Sequence, residues 1–388
     1  MKRILAFIVF LFSSYNISEG QQILRTLTLS SEFTNIPGTP RVIATNPNTW
    51  VAIWRQNSTP AAIRGRLIRS TGSTQPSKIV ATTPSFSVHS FDIAFNPVNK
   101  TYVLVYESPQ GLVTQLLSSN LVRVGSTNLI EAGAIQTVPR ILFDAVTQKY
   151  VIYWLSSHDG IARKVLKSRV ADSRGGMFSS ERIVREASGH YEFLSISSNI
   201  LMEQVMALLM EVNGTSAAVV GINLKLDGTS TGSPIRVFQS FTNGLRSFGD
   251  LDFSTASGTG MVFWTDKEIT KIRLIKKNGS LAPSTRRLNG TSDQFSTQPA
   301  ITYNAAQNLF LGSWSFGNQV LAVMINPNTA AVVQQQFSVA TSLLGNSGNL
   351  GAAYDPISTN IILVWDDFAV EASSTRFLVR AAVISNNP

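Results

Sequence analysis

One kind of segment recurs seven times along this 388-residue chain, at a spacing of about 50 residues. Each copy has an apolar run, a short turn rich in Asn, Asp or Pro, and a second, more apolar run that ends on a large side chain. "DIAFNPVNKTYVLVYES" at 92–108 returns as "RILFDAVTQKYVIYW" at 140–154, as "AITYNAAQNLFLGSW" at 300–314 and as "GAAYDPISTNIILVW" at 351–365. The second runs end at Trp54, Tyr106, Trp154, Met210, Trp264, Trp314 and Trp365, in steps of 52, 48, 56, 54, 50 and 51 residues. Self-similarity at a fixed period of this length excludes a set of unrelated domains and requires a stack or a ring of like units.

Each unit reads as four strands. The second is apolar nearly throughout ("WVAIW", "YVLVY", "GMVFW", "IILVW"), the pattern of a strand buried on both faces. A third carries charges ("IRGRLIR", "RKVLKSR", "TKIRLIKK"). A polar fourth follows a turn such as "STGST" or "KNGS" and alternates as at a half-solvated rim. No long stretch has a 3.6-residue apolar period. Only 14% of residues are charged, against about 25% in an average soluble chain, and the abundance of Ser, Thr, Asn and Val fits strands and turns.

This grammar resembles the seven-bladed β-propeller class over essentially the whole chain after the first twenty residues. The resemblance implies an all-β fold of four-stranded blades packed around an axis, with the aromatic at the end of strand two wedged between blades. The blades are expected near 38–83, 84–133, 134–187, 188–242, 243–291, 292–341 and 342–388. The seventh copy lacks a fourth strand, and 23–30 ("ILRTLTLS") resembles one, so it is expected to close the ring by pairing with 376–384. No family within the class is indicated. Trp365-Asp366 is the only Trp-Asp pair and Gly175-Gly176 the only Gly-Gly pair, and the S-x-D-x-G-x-x-W box does not occur.

The first twelve residues, "MKRILAFIVFLF", place two basic residues before nine apolar ones. With Ser18 and Gly20 as small residues ahead of a cut, 1–20 reads as a secretory signal, leaving 21–388 as one exported domain. The apolar run is shorter than the roughly 20 residues of a membrane span. There is no cysteine, which removes thiol catalysis, thiolate metal sites and redox switching. A chain of this size reaches stability without disulfides.

Propeller ligands sit where loops converge at one mouth of the channel. That mouth is expected to collect Arg55, Glu107, His158, Asp159, Glu211, Asp266, Asp366 and Asp367, with His89, Glu192, Asp250 and Asp252 nearby. A glycosidase needs an acid and a nucleophile or base, and Asp250, Asp252, Glu107 and Asp366 are the candidates for those roles. "GDLDFS" sets Asp250 and Asp252 on one face of an inner strand. The competing reading is that carboxylates punctuate strand ends for turn chemistry and solubility, with the Asp pair solvated by channel water. His89, His158 and His190 are the only histidines and fall on three blades, so no zinc site and no cofactor are expected. No G-x-S-x-G elbow, calcium loop or phosphate loop is present.

Five N-x-[ST] sequons lie beyond residue 20, at Asn57, Asn99, Asn213, Asn278 and Asn289, mostly where turns are expected, as glycosylation requires. With Lys2, Arg3 and Glu19 set aside, the formal charge of +9 becomes +8. Lys271, Arg273, Lys276, Lys277, Arg64 and Arg66 are candidate contacts for an anionic polysaccharide. The basic residues concentrate in alternate blades, so a continuous nucleic-acid track is not expected. Three functions compete. The first is a secreted, non-enzymatic binding or extracellular-matrix protein that presents loops to a glycan, a protein, a mineral or another solid. The second is a carbohydrate-active hydrolase or lyase. The third is a lectin with one sugar site per blade, which the dissimilar loops disfavour.

Overall fold

The structure is a computed structural model that describes residues 21–30, 40–56, 60–83, 91–133, 137–157, 163–199, 203–240, 248–266, 269–288, 299–370 and 375–385. These residues form a seven-bladed β-propeller of four-stranded antiparallel sheets. Blade one has Arg41–Ala44, Thr49–Gln56, Ala61–Arg69 and Lys78–Thr83 in spatial order. Blades two to six repeat that order, starting at Phe91, Arg140, His190, Phe248 and Ala300. The first strands of successive blades lie against one another, and that of blade seven lies against that of blade one. The ring is therefore closed. The proposed signal at 1–20 lies outside the described residues.

Closure follows the expected route. Blade seven has Asn346–Tyr354, Ile361–Val370 and Thr375–Ser385, and its outer strand is Gln22–Thr28. The pairing runs from Gln22 opposite Ser385 to Thr28 opposite Arg380. Beyond it, Leu29 N donates to the Val379 carbonyl at 2.7 Å, and Val379 N donates to Ser30 Oγ at 2.9 Å.

The burial gradient matches the apolar gradient in sequence. Strand two of each blade is buried along almost its whole length, whereas the outer strands Arg123–Ala132 and Gln22–Thr28 are mostly exposed. A strand's alternate residues face opposite sides, so each second strand feeds two inter-blade cores. Trp50, Ala52 and Trp54 face back onto Ile362 and Val364 of blade seven, while Val51 and Ile53 face forward onto Phe91 and Tyr102 of blade two. Trp154, Trp264, Trp314 and Trp365 likewise pack backward and are no more than 1% exposed.

Met210 is a correction to the repeat alignment. It packs forward onto blade five, in one cluster with Leu251 and Trp264. The residue that packs backward at the anchor level is Leu209, which stands opposite Leu194 as Trp365 stands opposite Leu350. Blade four thus replaces the aromatic anchor with leucine.

The turn between strands one and two repeats one device, shared in full by blades two, three, five, six and seven. An Asn, Asp or Ser opens it, as when Asn96 Oδ1 accepts from Val98 N at 2.9 Å and Asp355 Oδ1 from Ile357 N at 3.0 Å. A residue with positive φ ends it: Asn48, Lys100, Gln148, Glu203, Gly258, Asn308 or Thr359. These turns, together with those between strands three and four, build one face of the ring. The loops between strands two and three, and those between blades, build the other.

Candidate functional site

The throat of the channel is set by one residue per first strand. Arg41, Asp92, Arg140, Ser195, Asp250, Ala300 and Gly351 each pair with the residue immediately before the anchor position of strand two. Four of the seven are ionisable and alternate in sign over blades one to three. Arg140 is 7% exposed, and its Nη1 donates to the Pro139 carbonyl at 2.7 Å. Burial, then the Arg41 charge, push Arg140 down to about 9, against the pull of Asp92 and Asp250.

The two aspartates of "GDLDFS" lie on one face, as expected, and both are struts between blades. Asp250 accepts from Ser195 Oγ of blade four at 2.6 Å and from Ile301 N of blade six at 3.1 Å. Asp252 accepts from Ser197 Oγ of blade four at 2.9 Å and from Tyr303 N of blade six at 2.7 Å. In each case both carboxyl oxygens are engaged across two blade boundaries. Asp92 spans one boundary through a single oxygen, accepting from Ile141 N at 3.0 Å. Burial raises Asp250. Burial also pushes Asp252 up to about 6, and the neighbouring Asp250 charge adds to the effect.

The other two catalytic candidates lie on second strands and are more deeply buried than the aspartate pair. Glu107, 2% exposed, accepts from Thr137 N and so ties blade two to the start of blade three. Asp366, also 2% exposed, is raised well above the usual carboxylate range by burial, with the Asn349 side chain opposing. Asp367 next to it is fully buried, pairs with Arg380 at 3.0 Å and accepts from Leu343 N at 2.8 Å, which fixes the loop from blade six to blade seven. Glu211 accepts from Ser188 N at 3.2 Å, and His190 lies 3.5 Å from Glu192. Arg55 is buried, and burial lowers its pKa. His89, His158 and Asp159 lie outside the described residues, as does the side chain of Asp266. No group of three metal-binding side chains occurs among the described residues, and no helix there is long and apolar enough to cross a membrane.

The strand-three cations divide into three sets. Arg64, Lys167, Lys271 and Arg380 stand directly across the sheet from Trp54, Trp154, Trp264 and Trp365. Arg64 bonds to Gln56 and to Ser77 Oγ, Lys271 lies 4.7 Å from the Phe238 ring centre, and Arg380 lies 5.3 Å from the Trp365 ring. Lys167 pairs with Glu131 of blade two, which also accepts from Trp154 Nε1 at 2.6 Å, and with Glu181 at 2.8 Å.

A second set consists of clamps. Arg66, Arg169 and Arg273 each donate Nε to a carbonyl in the turn that follows, those of Gln75, Ser179 and Ala282, at 2.8–2.9 Å. Each Nη1 reaches a carbonyl on the outer strand of the preceding blade, that of Thr28, Ile130 or Val237. The third set is exposed and includes Lys276 and Lys277. Of the six candidate polyanion contacts, these two are the ones at the solvent surface. The clamps were not anticipated, although the sequence carries their signal. Each arginine precedes by six residues a glycine with positive φ, in the pairs Arg66 and Gly72, Arg169 and Gly175, Arg273 and Gly279. Among the sequons, Asn99, Asn213 and Asn278 are exposed, whereas Asn57 and Asn289 lie outside the described residues.

No protein-family model matches the chain, and no curated protein matches its sequence. Solved propellers match its shape. The Dos1 propeller shares 9% identity over 94% of this chain and 95% of its own, with a TM-score of 0.53. The WD40 domain of Toxoplasma gondii coronin shares 7% over 94% and 88%, with a TM-score of 0.52. The NanB sialidase of Streptococcus pneumoniae shares 8% over 95% and 71%, with a TM-score of 0.51. Identities this low carry the fold and not an activity.

Proposed function

We propose that this chain is an exported binding propeller, a rigid ring that presents its loops and clefts to an extracellular glycan or matrix partner and does no chemistry on it. The observation that supports this reading is the use made of the throat carboxylates. A glycoside hydrolase needs one carboxyl free to give a proton and another free to attack or activate water. Asp250 and Asp252 instead spend both oxygens on hydrogen bonds that join blades four, five and six. Export rests on the basic and apolar start of the sequence, and glycosylation at Asn99, Asn213 and Asn278 on the exposure of those side chains.

One observation favours the alternative, a carbohydrate-active hydrolase or lyase. Asp252, pushed up to about 6 beside a second carboxyl, has the shift expected of a general acid. A purified 21–388 protein distinguishes the two on a glycan array run beside a hydrolase and lyase screen. Binding without turnover is the expected result. Turnover that is lost in Asp252→Asn, with the fold intact, would replace the binding reading with the enzymatic one.

A further inference from the structure

On the face built from turns, a cleft of about 530 Å³ opens between blades one and two, within the range of pockets that hold small ligands. Arg69 and Thr49, cross-strand neighbours in blade one, form one wall with Ser73 and Gln75 of the following turn. Lys100 and Asn120, from two turns of blade two, form the other, and Leu67 lies between them as buried floor. We infer that this cleft is a binding site for an anionic saccharide, with Arg69 and Lys100 holding the sulfate or carboxylate and the hydroxyl and amide groups holding the sugar.

Three features carry the inference. The first is charge. Arg69 and Lys100 come from different blades and make no ion pair among the described residues, and no carboxylate lines the cleft. Like charges gathered at one concave site favour an anion there. The repeat supplies its own comparison. The positions equivalent to Arg69 and Lys100 across the boundary of blades three and four are Asp172 and Glu203, as their bridge and turn geometry shows. The same fold thus carries the opposite charge two blades away, so the paired cations are not imposed by the architecture.

The second feature is preorganisation. Arg69 N donates to the Ser73 carbonyl at 2.8 Å, Arg66 Nε to the Gln75 carbonyl at 2.8 Å, and Lys78 Nζ to the Asn120 carbonyl at 2.7 Å. The walls are held by internal bonds, which lowers the ordering cost of binding. The third is lining chemistry. Hydroxyls and amides surround the two cations and no aromatic ring lines the cleft, which suits a polyol rather than a base needing a stacking platform.

This site rests on the proposed binding function, and calorimetry separates the failure of one from the failure of the other. The probes are a sulfated tetrasaccharide, a uronate tetrasaccharide, a neutral tetrasaccharide and sodium sulfate, each titrated into the 21–388 protein at low salt. Both anionic sugars should bind at least tenfold more tightly than the neutral sugar or sulfate, and their binding should weaken with added salt. The Arg69→Gln, Lys100→Gly double variant should lose at least tenfold in affinity, whereas Arg286→Gln on the exposed outer strand of blade five should stay within twofold. Glycine suits the positive φ of Lys100, so Lys100→Gly alone, with an expected loss of at least threefold, decides the matter should the double variant misfold. Anionic sugars that bind the cleft variants undiminished would overturn the site and leave the binding function standing elsewhere. Sulfate binding as tightly as the tetrasaccharide would overturn saccharide recognition. No binding of any sugar would overturn the site together with the glycan form of the binding function.

Discussion

Asp252 shows what one side chain does to this ring as the solution changes. Its carboxyl takes hydrogen bonds from two neighbouring blades, yet burial pushes it up to about 6. A carboxyl raised in the folded state adds stability that is complete below its unfolded value of about 4 and is lost as pH rises through about 6. Asp250 and Asp366 are raised for the same first reason and act in the same direction. The melting temperature should therefore fall between about pH 4 and pH 6 in the part these groups control. Asp252→Asn should flatten that dependence in a calorimetric pH series, and a variant as steep as the wild type would refute the assignment. The sequence made the pair visible, because residues two apart on a strand share a face. It could not show their role, since the donors Ser195 and Ile301 lie about fifty residues to either side.

At the scale of the strand, the inter-blade anchor is the element that matters most. Trp264 fills the core between blades four and five, among Met206, Met210, Val219 and Leu251. Trp264→Ala should cost about 3–5 kcal/mol, the range for aromatic truncations in a core, measured by denaturant unfolding and with fluorescence quenching to confirm that the remaining tryptophans stay shielded. The grammar of the strands was legible because each kind of strand has its own solvent environment. Two things were not. In "QVMALLMEVN" both faces of the strand are buried, so nothing in the apolar run marks which parity faces backward, and Met210 was aligned where Leu209 belongs. In strand three, alternate residues face a neighbouring blade, so Arg66, Arg169 and Arg273 look like solvated charges in sequence and are clamps in space.

Over the whole molecule, closure depends on one pairing between distant parts of the chain. Removing residues 21–33 should leave blade seven with three strands and expose the edge of Thr375–Ser385. A lower melting temperature or loss of solubility is expected, and a truncated protein that melts like the full one would show that the ring does not need its seam. The ring was readable from sequence because burial between like neighbours constrains every repeat in the same way. The constraint fixes which faces are apolar and leaves the residues themselves free, so propellers of 7–9% identity share this shape, and loop chemistry, which decides the ligand, carries no periodic signal.

The seam also has a mechanical direction. Gln22 lies opposite Ser385 and Thr28 opposite Arg380, so the two outermost residues of the pairing are at the same end of it. Force applied through the flanking segments would load the hydrogen bonds one rung at a time, as in opening a zipper, rather than all together as in sliding one strand past the other. A ring pulled by both ends would therefore open at this blade, at low tension, and release Gln22–Thr28 as a free strand while blades one to six keep all four of theirs.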